Sequence, residues 1–136
     1  ITSGGSTVSK LPIADMAKSQ AFFKALGYSF NPDFSNDKGA ALVLGDNLFA
    51  MLLVHDFFAT FTGKPLADAN KSTEVIVCLS CDSREQVDSL VAKAVAAGGK
   101  TPRQPVDHGF MYGHGFEDLD GHIWELVHMA GTPPKE

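Results

Sequence analysis

Massed positive charge is missing from this sequence. With 11 Lys and Arg against 16 Asp and Glu, the formal charge is −5, and no basic cluster occurs. Binding to a phosphate backbone is driven by concentrated Lys and Arg, so a nucleic-acid partner is not expected. Long apolar runs are missing too. None approaches the roughly 20 residues a bilayer span requires, and no apolar leader with a cleavage site precedes the first strand-like segment, so a cytoplasmic protein with no membrane partner is expected. Cysteine is scarce. The two present, Cys78 and Cys81 in "VCLSCDS", have C-x-x-C spacing, but a redox dithiol places its first thiol at a helix N-terminus, where the helix dipole lowers its pKa. Here both cysteines precede the helix cap at Asp82 or Ser83. Strand positions three apart point to opposite faces, so the thiols diverge and read as small apolar residues.

What is present is ordinary globular material: 136 residues, 44% hydrophobic and 20% charged, enough for a single core. The leading "ITSGGS" has no hydrophobic period, and residues 1–7 are set aside as a tail. A short strand from Val8 to Ile13 leads into "DMAKSQAFFKALG", a helix capped by Asp15, with Phe22, Phe23 and Leu26 on one stripe and Gly27 as its stop. Three strand-like segments follow, "YSFNPDF", "GAALVLG" and "NLFAMLLV", with a hairpin signal at Gly45-Asp46-Asn47. "HDFFATFTGKPLADANK" then loses the period-2 pattern and reads as a connector holding one helical turn. Its Phe57, Phe58 and Phe61 suit a core-closing cluster.

The second half repeats the first. "TEVIVCLSC" is a strand, and Ser83-x-x-Gln86 makes a capping box for a helix with stripe Val87, Leu90, Val91 and Ala94. Gly98-Gly99 ends that helix. "KTPRQPV", "FMYGHGF" and "HIWELVHM" complete the half, with Asp118-Leu119-Asp120-Gly121 turning the chain before the last strand. An internal repeat of β-α-β-β-β units predicts an α+β fold. One domain covers 8–129, with modules 8–54 and 72–129, connector 55–71, and two curled sheets facing a shared cavity.

"LPIADMAKSQAFFKALGYSF" is similar to the pattern V-x-D-x-x-x-S-x-x-F-Y-x-x-L-G-F, and "DLDGHIWEL" to D-P-D-G-x-x-x-E-L. On these two stretches the chain resembles the vicinal oxygen chelate superfamily, which includes glyoxalase I, bleomycin-resistance proteins and extradiol dioxygenases, and within it a lactoylglutathione-lyase-like branch. The resemblance spans Val8 to about Met129 and implies a homodimer. Metal-using members bind a divalent ion through four inward-facing side chains. Carried over position by position, those four are Val8, Met51, Ile76 and Glu125. Valine and isoleucine cannot coordinate, and a thioether is a poor ligand for hard or borderline ions. The departure points away from glyoxalase and dioxygenase chemistry and towards metal-independent binding of a small molecule in an apolar cavity, as in bleomycin resistance.

Glu125 is the charged residue in an apolar strand-like run, and a carboxylate withdrawn from water needs a partner. Period-2 alternation places Lys10 with Val8 and Glu74 with Ile76, and places His108, Tyr112 and His114 on one face if their strand is regular. The expected ligand-binding set is therefore Lys10, Met51, Glu74, Ile76, Tyr112, His114 and Glu125, with Glu125 salt-bridged to Lys10, bonded to Tyr112, or anchoring a ligand. No cofactor is expected. The alternative is a lyase-like or dioxygenase-like enzyme with Glu125 as the catalytic group, a carboxylate in apolar surroundings being suited to proton abstraction beside a carbonyl. A divalent metal would then be held by Glu125, Glu74 and His114. His122 and His128 fall on the face opposite Glu125, with Trp124 and Leu126.

Overall fold

The computed structural model describes residues 5–132 and 134; all of the tail set aside above except residues 5–7 lies outside the described residues. Two compact units divide the chain, one up to Ala67 and one from Asp68. In the first, β1 (Thr7–Ile13) leads to α1 (Met16–Ala25), then β2 (Ser29–Asn31), β3 (Gly39–Gly45) and β4 (Leu48–Val54). The sheet order is β1-β4-β3-β2, with β1 parallel to β4 and the other neighbours antiparallel. Asp15 caps α1 by accepting from the Lys18 amide at 2.9 Å, and Gly27 ends it at φ +102°, a conformation costly for a residue with a Cβ. Phe22, Phe23 and Leu26 lie buried with Leu11, Ala40, Leu42 and Leu52, the helix-covered face of this sheet.

The opposite face carries Val8, Lys10, Phe49, Met51 and Leu53, since Val8 pairs with Phe49 and Lys10 with Met51. The connector turns along it as α2 (His55–Phe58) and a 3-10 turn over Ala59–Phe61. Phe57 meets Phe61 edge-on at 5.3 Å, and Leu53 beneath is 1% exposed. Phe57 and Phe58 are half-buried and Phe61 is exposed, so the cluster covers this face only in part.

The second unit repeats the pattern: β5 (Ile76–Ser80), α3 (Arg84–Ala96), β6 (Val106–Asp107), β7 (Met111–Glu117) and β8 (Ile123–Met129), in sheet order β5-β8-β7-β6. Ser83 accepts from the Gln86 amide at 3.1 Å, and Gln86 Oε1 accepts from the Asp82 amide at 2.6 Å. Val87, Val91 and Ala94 of α3 are buried, as are Phe116, Trp124 and Leu126, the last three on the face that α3 covers. The fold is α+β with two βαβββ modules, and both sheets are open. No helix among the described residues is long and apolar enough to cross a membrane.

Three expected strands are shorter in the structure; "YSFNPDF" forms only β2 before a 3-10 turn over Pro32–Phe34, where proline has no N–H for a ladder. β5 begins at Ile76, which leaves Glu74 exposed in the preceding bend. "KTPRQPV" forms only an isolated bridge, Lys100 with Glu117, before β6 starts at Val106. Pro102 and Pro105 have no N–H to give to a ladder.

Candidate functional site

Register decides which side chains share a face. Glu125 pairs with Cys78 on β5 and with Gly115 on β7. Ile76 pairs with Ile123, and Gly113 with Val127, so these residues share the face that α3 does not cover. A cleft of about 290 Å³ opens there. Ile76, Ile123, Val127 and Glu125 contribute to its lining on the β5–β8 side, and Arg103 and Val106 on the other. The two glycines help to leave the space open: a Cβ on Gly113 would stand 3.3 Å from Val127, and one on Gly115 3.6 Å from Glu125 Cγ.

Glu125 is exposed, which corrects the expectation of a buried charge. Its carboxylate takes no hydrogen bond or ion pair among the described residues. β8 is apolar in alternation, not throughout: Trp124 and Leu126 are the buried side chains, and Glu125 lies on the open side. The burial that motivated a catalytic base is therefore absent. The buried carboxylate of "EDLDGHIWELV" is Asp118, 6% exposed. It accepts from the Asp120 and His122 amides, each at 3.0 Å, and from Trp124 Nε1 at 2.9 Å. Burial pushes its carboxyl above the ordinary range, against the opposing pull of His122 and the three donors. The D-x-D-G turn followed by Trp124 was the available signal for it.

Tyr112 and His114 are not in register with Glu125, which corrects the expected polar cluster for Tyr112, whereas His114 still contributes to the lining of the cleft. Tyr112 pairs with His128 and His114 with Leu126, one residue out of phase with Glu125, and a one-residue change of phase reverses the face. The Tyr112 hydroxyl donates to Asp88 Oδ1 on α3 at 2.6 Å, beneath the Arg84 guanidinium 4.9 Å from its ring. The His114 ring turns to the sheet edge, 2.9 Å from the Arg103 carbonyl. His108, ahead of β7, lines the cleft as His114 does from the edge. Met51 lies beside Lys10, whose ammonium stacks 5.1 Å over Phe61. His128 hydrogen-bonds the Cys81 carbonyl at 3.1 Å, on the face expected for it.

The residues present do not fit a divalent metal. Of the four family positions only Glu125 carries an oxygen donor, Glu74 is outside β5, and His114 is engaged at the edge. Among the described residues no group of three His, Cys, Asp or Glu is arranged to hold an ion. Cys78, beside Glu125, is a free thiol whose pKa is raised by burial and then by the Glu125 charge.

Arg84 grips Asp107 with two hydrogen bonds, at 2.6 and 3.0 Å. With the Gly109 amide assisting, this lowers Asp107 to about 2. Because the folded value lies below the unfolded one, near 3.9, the contribution to stability is present above about pH 4 and is lost as pH falls through about 2. Carboxyl NMR titration should place the Asp107 midpoint at about 2. Arg84→Gln should return it towards the ordinary range, and an unmoved midpoint would remove Arg84 as the cause.

This doubled βαβββ architecture, with the D-x-D-G-x-x-x-E turn and strand, defines a class: the chain belongs to the vicinal oxygen chelate superfamily. The family profile for the N-terminal part of bleomycin resistance protein-like domains matches residues 6–44. Among solved structures, the chain is 30% identical to a hypothetical protein from S. aureus, covering 90% of this chain and 92% of that one at a TM-score of 0.78. A glyoxalase-related enzyme from Fulvimarina pelagi is 20% identical, with 98% and 94% covered and a TM-score of 0.79. The fosfomycin resistance protein FosX from Listeria monocytogenes is 23% identical, with 100% and 97% covered and a TM-score of 0.65; a variant of it was solved with Mn(II) and 1S,2S-dihydroxypropylphosphonic acid. No curated protein sequence matches the chain significantly.

Proposed function

We propose that the protein is a metal-independent small-molecule binder of the bleomycin-resistance type, using the cleft of its second unit. The observation that carries this reading is the unpartnered Glu125 carboxylate beside Ile76, Ile123 and Val127, with no group of three metal donors arranged around it among the described residues. The cleft sets this anion among apolar side chains, with Arg103 on the facing wall, which suits an amphipathic ligand whose cationic group meets Glu125. The Mn(II) in the solved FosX variant has no counterpart donor group among the described residues here. The two free cysteines support a reducing, cytoplasmic compartment, and family likeness supports a homodimer, which a monomeric mass in solution at micromolar concentration would remove.

Rhodamine 6G, a cationic aromatic dye, tests the reading by fluorescence anisotropy. Saturable binding by the wild-type protein is expected, with fluorescein, an anion, binding more weakly. Glu125→Gln should weaken rhodamine binding about tenfold, or about 1.4 kcal/mol, while stability changes by no more than about 0.5 kcal/mol because the side chain is exposed and unpaired. Unchanged affinity would count against the site. Elemental analysis after purification without chelator, showing near-stoichiometric metal that is lost in Glu125→Gln, would overturn metal independence and favour the enzyme reading.

A wider depression of about 560 Å³ lies on the first unit near Lys24, Tyr28 and Asn36. Asn36 Oδ1 there accepts from the Lys38 and Gly39 amides, and Lys24 stacks over Phe30 at 6.0 Å. Those polar groups serve their own loop and helix.

A further inference from the structure

The wall of the cleft opposite Glu125 is built from chain that cannot form a ladder. Lys100 pairs with Glu117 and Val106 with Gly113, so residues 101–105 lie against only residues 114–116, and two of the five are proline. The excess chain bulges and contributes Pro102, Arg103 and Gln104 to the lining of the cleft. A bulge of this kind leaves backbone groups of both strands without ladder partners. Side chains supply the missing bonds here. The Thr101 hydroxyl donates to the Gly115 carbonyl at 2.8 Å, and His114 Nε2 stands 2.9 Å from the Arg103 carbonyl and 3.0 Å from Thr101 Oγ1.

Proton accounting assigns the tautomer. A carbonyl only accepts, so the contact with Arg103 requires the proton on His114 Nε2. The single hydroxyl proton of Thr101 goes to Gly115, so Thr101 Oγ1 receives from the same Nε2–H. One imidazole N–H thus joins the bulge to β7 at two points.

We propose that His114 is a positioning residue for the cleft: with Thr101 it straps the proline bulge to β7 and sets where Arg103 and Gln104 stand relative to a ligand anchored at Glu125. The inference rests on the cleft being the binding site, but the strap itself can be tested without a ligand. Long-range proton–nitrogen NMR of the wild-type protein should show the Nε2–H form. In His114→Ala, amide exchange across residues 103–107 should rise about tenfold while the β8 amides keep their protection, and rhodamine 6G affinity should fall about fivefold. His114→Gln, whose side-chain amide can still donate to the Arg103 carbonyl, should recover part of both. An Nδ1–H tautomer, or unchanged exchange across 103–107 in His114→Ala, would overturn the strap. Increased exchange with unchanged affinity would overturn its role in the cleft. If the wild-type protein binds no dye, the functional reading fails, and exchange and tautomer alone decide whether His114 holds the bulge.

Discussion

Asp118→Ala is expected to lower the free energy of unfolding by about 3–4 kcal/mol. Three donors converge on this buried carboxylate, and removing it deprives the indole N–H of Trp124, a residue 1% exposed, and the Asp120 and His122 amides of this acceptor. Each unsatisfied buried polar group costs about 1–3 kcal/mol, less where water can reach it. Asp118→Asn should cost about half as much, because its amide nitrogen can only donate and meets donors on one side. Urea titration followed by tryptophan fluorescence reads the loss directly, since Trp124 is the single tryptophan and stacks on Phe116 at 6.4 Å. The pH dependence has the sign opposite to that of Asp107. With its folded pKa raised by burial, Asp118 makes a contribution that is fully present below the unfolded value, near 3.9, and lost as pH rises through the folded value. Asp118→Ala should flatten that decline. A variant within 1 kcal/mol of wild type would show that water replaces the lost carboxylate.

Gly121→Ala should cost about 2–4 kcal/mol through two separate effects. Gly121 has φ +87°, which costs an alanine roughly 1 kcal/mol. Its new Cβ would also stand 2.9 Å from the Asn70 amide nitrogen and 2.5 Å from Asn70 Oδ1. The side-chain oxygen can move, but the backbone nitrogen belongs to a turn held by Asp68, whose Oδ1 accepts from that amide at 2.9 Å. Gly109→Ala is the internal control. Its φ is +81° and its added Cβ meets nothing within 4 Å, so only the conformational cost of about 1 kcal/mol should appear. Equal losses at the two positions would mean that the contact with Asn70 relaxes freely. Because the Asp118–Gly121 turn launches β8, a large loss at Gly121 would also mark this turn as what sets the register of Glu125.

The helices were legible because their signals are local. Asp15 before the Phe22–Phe23–Leu26 stripe, and Ser83 three residues before Gln86, announce caps and buried faces within one or two turns of chain. Asp118 was visible as a turn residue but not as the buried carboxylate, because its partner Trp124 is six residues on, across the turn and in the next strand. Spacing alone places Lys10 on the face of Val8, and the register adds Met51 to that face, since β1 and β4 are regular over seven residues each. Glu74 was lost because parity means nothing beyond the end of a strand.

Sequence by itself determined the class: the repeated cap, stripe, glycine stop and turn specify two βαβββ modules, and the chemistry of Val8, Met51 and Ile76 removes three of four metal donors whatever their geometry. Tertiary structure alone decided which residues line the cleft. Counting along "HGFMYGHGF" puts His108, Tyr112 and His114 in one phase, but only the pairing of Gly115 with Glu125 shows that the glycines of β7, and not Tyr112 or His114, share the Glu125 face. The proline bulge then brings Arg103 to the cleft from outside any regular strand. A strand's two faces are identical in spacing, so phase within one segment says nothing about phase relative to its neighbour. That relation is fixed by hydrogen-bond register across the sheet.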